Sequence, residues 1–208
     1  MIQAMKKEIR AFNFEVRAEQ NEEHGHYLAG TPIVFDAESD LGWCSEIIER
    51  TALDNADLRD VRFLINHNTD MIPLARSRNN NENSTMQLSV NENGMDIRVD
   101  LDTENNSDAR SLYSAVERGD ISGMSFMFTV DEDNWLNAKS EHPTRVIRAI
   151  DKVFEVSAVT WPAYEQTSLE ARGLSEALES AKASLESERA RIQAEERKRQ
   201  QIKILLDM

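Results

Sequence analysis

Disulfide chemistry is missing from this chain. Its 208 residues include one cysteine, Cys44, so no intrachain bridge can form. A lone thiol fits a reducing compartment. Long apolar runs are missing too. The opening stretch, residues 1–20, has no apolar segment of the signal-peptide kind, and no later segment is apolar for long enough to span a bilayer. The sequons at Asn83 and Asn105 therefore read as chance matches in polar loops, and Arg118-Gly119-Asp120 reads as a turn. Basic charge is short: 24 Lys and Arg stand against 38 Asp and Glu, a net charge of −14. Such a surface repels phosphate, which argues against non-specific nucleic-acid binding. No internal repeat is present.

What remains divides into two parts. Residues 169–208 carry eight acidic and eight basic side chains, so the whole acidic surplus lies in residues 1–168. All four prolines lie in that first part. The tail is rich in Ala, Glu, Arg, Lys, Leu and Gln, strong helix formers, and predicts one long helix over 174–206. Leu174, Leu178, Ala181, Leu185 and Ile192, then Ile202, Leu205 and Leu206, form a broken apolar seam, interrupted by Glu188, Glu195 and Arg199. That pattern suits a solvated helix with one sticky stripe as well as a weak coiled coil. A docking arm or a self-cleaved tail is the functional counterpart.

Residues 8–168 show period-two alternation instead. Ile9-Ala11, Phe12-Phe14-Val16, Tyr27 to Phe35, Val61 to Ile65, Met86 to Val90, Met95 to Leu101, Ser125 to Val130 and Val146 to Thr160 read as strands. Asn93-Gly94 between two of these runs is a hairpin signal. Helices are expected near Ser45–Ala56 and over Ser107–Arg118, the latter capped by Asn106 or Ser107 with Leu112, Tyr113 and Val116 facing inward. The expected fold is α+β and mostly β, a closed or nearly closed barrel with a few helices.

Three stretches carry chemistry-bearing side chains. His67 follows the apolar strand Val61–Ile65. Position alone favours a half-buried histidine bonded to a backbone carbonyl, although a strand end also presents a ring to a cleft. Ser125 stands in Ile121-Ser122-Gly123-Met124-Ser125-Phe126-Met127-Phe128, where it is either a tolerated core hydroxyl or a nucleophile held on a rigid strand. Met127 occupies the place of the second glycine of a nucleophile elbow, so that motif is excluded. Glu155 interrupts the β-branched and aromatic run Val153–Tyr164. It lies on the solvent face of an alternating strand, or it is buried against a histidine that it orients. His24 and His26 sit in the polar turn Glu22–His26, and His142 in a polar loop. Neither place has the further ligands that a metal needs.

Together these stretches resemble the tailed-phage prohead (capsid maturation) serine protease family. Phe63-Leu64-Ile65-Asn66-His67 with Ile72-Pro73-Leu74-Ala75 is similar to its histidine box, and Arg118–Phe126 to its serine box. Phe154–Tyr164 is similar to its third box, and Gly30–Phe35 and Trp43–Ile48 to its opening pattern. The resemblance spans roughly residues 8–170. It departs from the family at Met127, where glycine is common, and at Trp161, where a smaller ring is usual. The family is distantly similar to herpesvirus assemblin, which implies a β-barrel ringed by helices. It also implies a serine endopeptidase with Ser125 as nucleophile, His67 as general base and Glu155 orienting His67, with no cofactor and no metal. The backbone N–H groups near Ala163-Tyr164 become candidate oxyanion donors. The implied setting is the host cytoplasm inside the viral procapsid, with coat-protein and scaffold segments as substrates. The resemblance leaves room for a homodimer or oligomer, and for self-cleavage.

Three rival readings stay open on sequence: a non-catalytic capsid-assembly protein with a helical interaction tail, a cysteine hydrolase using Cys44 with His67, and a metal enzyme using His24 and His26.

Overall fold

The computed structural model describes residues 7–12, 16–160 and 171–206. The expected strand through Phe14 and the oxyanion candidates near Ala163-Tyr164 lie outside the described residues. Among the described residues, eleven strands form two sheets. The larger has β1 (Lys7–Phe12), β4 (Ser39–Asp40), β5 (Ser45–Ile48), β6 (Asp60–Ile65), β7 (Ala75–Arg78), β10 (Gly123–Leu136) and β11 (Thr144–Val159). Its order is β1-β10-β11-β5-β4, with β6 also paired to β11 and β7 to β6. The smaller is β2 (Arg17–Asn21), β3 (Gly25–Val34), β9 (Gly94–Asp100) and β8 (Met86–Val90), in that order. The described residues also form two helices, α1 (Ser107–Glu117) and α2 (Ala171–Leu206).

The expected closed barrel is corrected. Among the described residues the larger sheet has free ends at β1 and β4, and the smaller sheet pairs separately from it. The two sheets instead share one apolar core. Leu28 and Ile33 of β3, Met86 of β8 and Met95 of β9 join Phe63 of β6, Phe126 and Phe128 of β10, and Val156 of β11. The expected helix near Ser45–Ala56 is also corrected. Residues 45–48 are a strand lying parallel to β11, with Ser45 opposite Thr144 and Ile48 opposite Ile147, and a run of turns follows.

Other expectations hold. Asn106 caps α1 by accepting the N–H groups of Asp108 and Ala109, and Leu112 and Val116 are buried. The turn at Asn91–Gly94 joins β8 to β9 through the bond from Asn91 N–H to the Gly94 carbonyl at 2.9 Å. A Cβ at Gly94 would stand 2.0 Å from the Ile33 carbonyl oxygen, so no side chain fits there. The long helix packs Ala181 and Leu185 onto Cys44, Trp135 and Ala138. Ser184 accepts the Trp135 indole N–H at 3.0 Å and donates to Asp133 at 2.7 Å.

A buried ionic network underlies β1, β5 and β11. The Arg10 guanidinium contacts Glu46 at 2.5 Å and Glu8 at 2.7 Å. Arg145 contacts Glu8 at 2.7 Å, Glu46 at 3.2 Å and Asp133 at 2.6 Å. Both guanidiniums and both glutamates are buried. Burial alone would raise the Glu46 carboxyl, but the Arg10 and Arg145 charges outweigh it and hold the group below its ordinary value.

Breaking a buried pair from one side leaves charges uncompensated. Arg145→Met should therefore cost about 3–5 kcal/mol in urea unfolding. Because the folded Glu46 carboxyl sits below its unfolded value, its contribution is present above about pH 4.3 and fades as pH falls further. The wild-type chain should lose stability on acidification through that window. Arg145→Met, which weakens the pairing of Glu46, should show a shallower loss in the same unfolding measurement.

Candidate active site

The site forms where β6 and β11 end and β10 begins. β11 is the common element. It pairs antiparallel with β10, placing Ser125 opposite Ser157 and Met127 opposite Glu155. On its other edge it pairs parallel with β6, placing Glu155 opposite Arg62 and Ser157 opposite Leu64. Directly opposed residues of neighbouring strands share a face, and alternate residues change face. Phe63, Phe126 and Val156 face the shared core, so Ser125, Glu155 and Ser157 lie together on the reverse side of the sheet.

The chain leaves β6 through two consecutive residues in the left-handed region, Asn66 (φ 50) and His67 (φ 55). Asparagine tolerates that conformation better than most residues, and histidine is also enriched there. The corner is pinned from β11. The Asn66 N–H donates to the Ala158 carbonyl at 3.0 Å. The Asn66 side chain accepts the Thr160 N–H at 2.9 Å and donates to the Thr160 hydroxyl at 2.9 Å. The turn brings the imidazole back over β11, where Nδ1 lies 2.5 Å from Oε1 of Glu155. The Glu155 side chain is 3 % exposed and the His67 side chain 11 %.

The carboxylate only accepts, so Nδ1 carries the proton and the neutral ring keeps its lone pair on Nε2. That is the tautomer a general base needs. The second carboxylate oxygen is also filled: the Ser157 hydroxyl donates to Oε2 at 2.5 Å and itself accepts the His67 backbone N–H at 3.1 Å. Glu155 is therefore a buried charge with a partner at each oxygen.

Of the three residues singled out from the sequence, the structure pairs His67 with Glu155 and puts Ser125 one strand away on the same face. Ser125 is fully buried, and its hydroxyl donates to the Arg10 carbonyl of β1 at 2.8 Å rather than to the imidazole. Ser157 and Asn66 went unrecognised in the sequence. A serine two residues beyond a strand-borne glutamate shares its face, and that spacing was the available signal.

The rival groups are placed elsewhere. Cys44 lies in the apolar cluster under α2, and burial pushes its thiol up to about 12, so little thiolate exists near neutrality. His26 bonds the Thr103 hydroxyl at 2.9 Å and packs edge-on against Tyr113. Among the described residues, no group of three His, Cys, Asp or Glu side chains is arranged to hold a metal, and no helix is long and apolar enough to cross a membrane.

An imidazole bonded through Nδ1 to a buried carboxylate is the base–acid pair that triad hydrolases use. Comparison with known proteins makes the class specific. The family model of caudovirus prohead serine proteases matches residues 12–181, and the chain belongs to that family. The chain is similar to the prohead protease of Enterobacteria phage HK97, with 31% identity over 123 residues, 59% of this chain. The match spans 48% of that relative, about half its length. No solved structure matches.

The left-handed corner gives a stability prediction. Asn66→Ala removes both bonds to Thr160 and places a poorly tolerated residue at positive φ, for a loss of about 2 kcal/mol. Asn66→Gly restores the conformation but not the bonds, and should lose less. Urea denaturation of the two variants checks the order.

Proposed function

We propose that this chain is a serine endopeptidase of procapsid maturation, with Ser125 as nucleophile, His67 as general base and Glu155 as the group that orients the base. The observation that carries the reading is the bond from His67 Nδ1 to buried Glu155, with Ser125 facing the same way on the adjoining strand. Family membership supplies the reaction class.

In the proposed reaction, the Ser125 side chain rotates away from the Arg10 carbonyl and offers its proton to Nε2 of His67. The serine oxygen attacks the substrate carbonyl as the proton leaves. Glu155 then faces an imidazolium and stabilises it in a site largely closed to water. The imidazolium returns the proton to the departing amine. Water repeats the sequence on the acyl-enzyme. The substrate is an extended segment of coat or scaffold protein, or of this chain. An extended segment makes backbone bonds along a strand edge without demanding its own fold. The net charge of −14 favours basic segments. The assemblin-like barrel suggested by the sequence has no part in this reading, because the described residues form two open sheets. Residues 169–208 serve as an arm that docks through Ala181 and Leu185 or is removed.

A second reading, a non-catalytic assembly protein, is favoured by the buried Ser125 hydroxyl and its bond to the Arg10 carbonyl. One experiment separates the two. Mass spectrometry of the chain with coat protein should find cleavage products for wild type and none for Ser125→Ala, a loss of at least about a thousandfold. Circular dichroism should be unchanged. Cleavage that persists in Ser125→Ala overturns the protease reading. Glu155→Gln keeps the shape but offers the imidazole an amide, and should lower kcat by about two to four orders of magnitude. Alkylating reagents should leave activity intact, since Cys44 is buried and its thiol is held protonated.

A further inference from the structure

We infer that Ser157 is a positioning residue of this site, a fourth member that sets both the acid and the base. The residue is fully buried in β11, so its hydroxyl has no water to turn to. Its single proton goes to Glu155 Oε2 at 2.5 Å, and its oxygen accepts the His67 backbone N–H at 3.1 Å. With the bond from His67 Nδ1 to Glu155 Oε1 at 2.5 Å, these contacts close a ring through three residues.

Each side of the ring has a separate consequence. A carboxylate in a strand can rotate about its last side-chain bond and present either oxygen in several directions. Fixing Oε2 leaves Oε1 with one direction, and that direction is Nδ1. The His67 N–H sits in a left-handed corner with no sheet partner of its own, and Ser157 supplies the acceptor. A hydroxyl can do both because it donates one proton and accepts on the same oxygen. Ser157 is itself no competing nucleophile, because its proton is committed to the carboxylate and the His67 ring is engaged through Nδ1.

A core serine of merely structural value would be replaced by alanine at little chemical cost. Here alanine leaves a buried carboxylate oxygen and a backbone N–H unmet together. The ring also occupies the position directly across from Ser125, so loosening it displaces the imidazole relative to the proposed nucleophile. Displacements of that kind cost rate, because they disturb the alignment of the reacting groups.

The catalytic consequence rests on the triad reading, but the ring itself is observable without activity. In wild type, nitrogen-15 NMR of labelled histidine should show the His67 Nδ1 proton in slow exchange with water, and amide exchange should show the His67 backbone N–H protected. Ser157→Ala should speed exchange of the Nδ1 proton by at least about tenfold and lower kcat by about ten- to hundredfold, with KM within about twofold. Ser157→Thr, which keeps the hydroxyl, should recover both. Ser125→Ala should abolish cleavage and leave the Nδ1 signal in place, so failure of the protease reading shows in that variant alone. An unaltered Nδ1 signal and kcat in Ser157→Ala overturn the inference. If that variant does not fold, the wild-type measurement decides: a His67 N–H exchanging at the rate of open loop amides overturns it equally.

Discussion

A carboxylate inside a sheet is the constraint around which this site is arranged. Glu155 cannot be buried at 3 % exposure without partners for its charge. Its neighbours along β11 are apolar, so the partners must come from its own face and from the end of the next strand. Ser157 supplies the first and the His67 imidazole the second. The need to satisfy one anion thus dictates a serine at the same-face position and a ring returning from β6. It also dictates the tautomer, because an acceptor at Nδ1 places the lone pair at Nε2. Chemistry and stability coincide in the proposed reaction: the interaction that makes the carboxylate tolerable is the one that would prepare a base.

The same sheet carries a second buried charge system on its other side. Glu8 and Arg10 alternate with Ala11 along β1, which puts them on the face opposite to Ser125. There Arg10 lies over the Phe128 ring and meets Glu8 and Glu46, which Arg145 holds in turn. Arg145 reaches Asp133, and Asp133 accepts the Ser184 hydroxyl of α2. Arg10 belongs to both systems, since its carbonyl accepts the Ser125 hydroxyl while its guanidinium anchors the network. The backbone that receives the serine proton at rest is therefore fixed by charges with no part in the proposed chemistry.

Those buried charges also explain what the sequence concealed. Alternation is legible when one face of a strand is apolar, and β3, β6, β8 and β9 were read on that basis. Helix α1 was legible from its Asn106 cap and its inward Leu112 and Val116. Strand β5 was not, because Glu46 is among its buried residues. A charge at an interior position inverts the pattern, and Ser45–Ile48 then passes for the start of a helix. The closed barrel failed for a different reason: sequence alternation marks strands but not which edges meet, and pairing depends on contacts far apart along the chain. At the site, each residue type was visible, but only resemblance joined His67 to Glu155. Eighty-eight positions separate them, and the left-handed corner that brings them together is encoded by Asn66 and by the β11 groups it bonds.

The family match takes in the site together with part of the buried network. Residues 12–181 contain His67, Ser125, Glu155 and Ser157, together with the strands that carry them. Glu8, Arg10 and Ser184, which hold β1 and α2 to the sheet, lie outside it. Their partners Glu46, Asp133 and Arg145 lie inside it, so the buried network crosses the boundary of the match. The unmatched ends are fixed by ion pairs and a helix face, and many sequences meet that requirement, since a buried charge needs a complementary partner but not a particular one. Around Glu155 the requirement is narrower: Oε1 needs the donor at His67 Nδ1 and Oε2 needs the Ser157 hydroxyl.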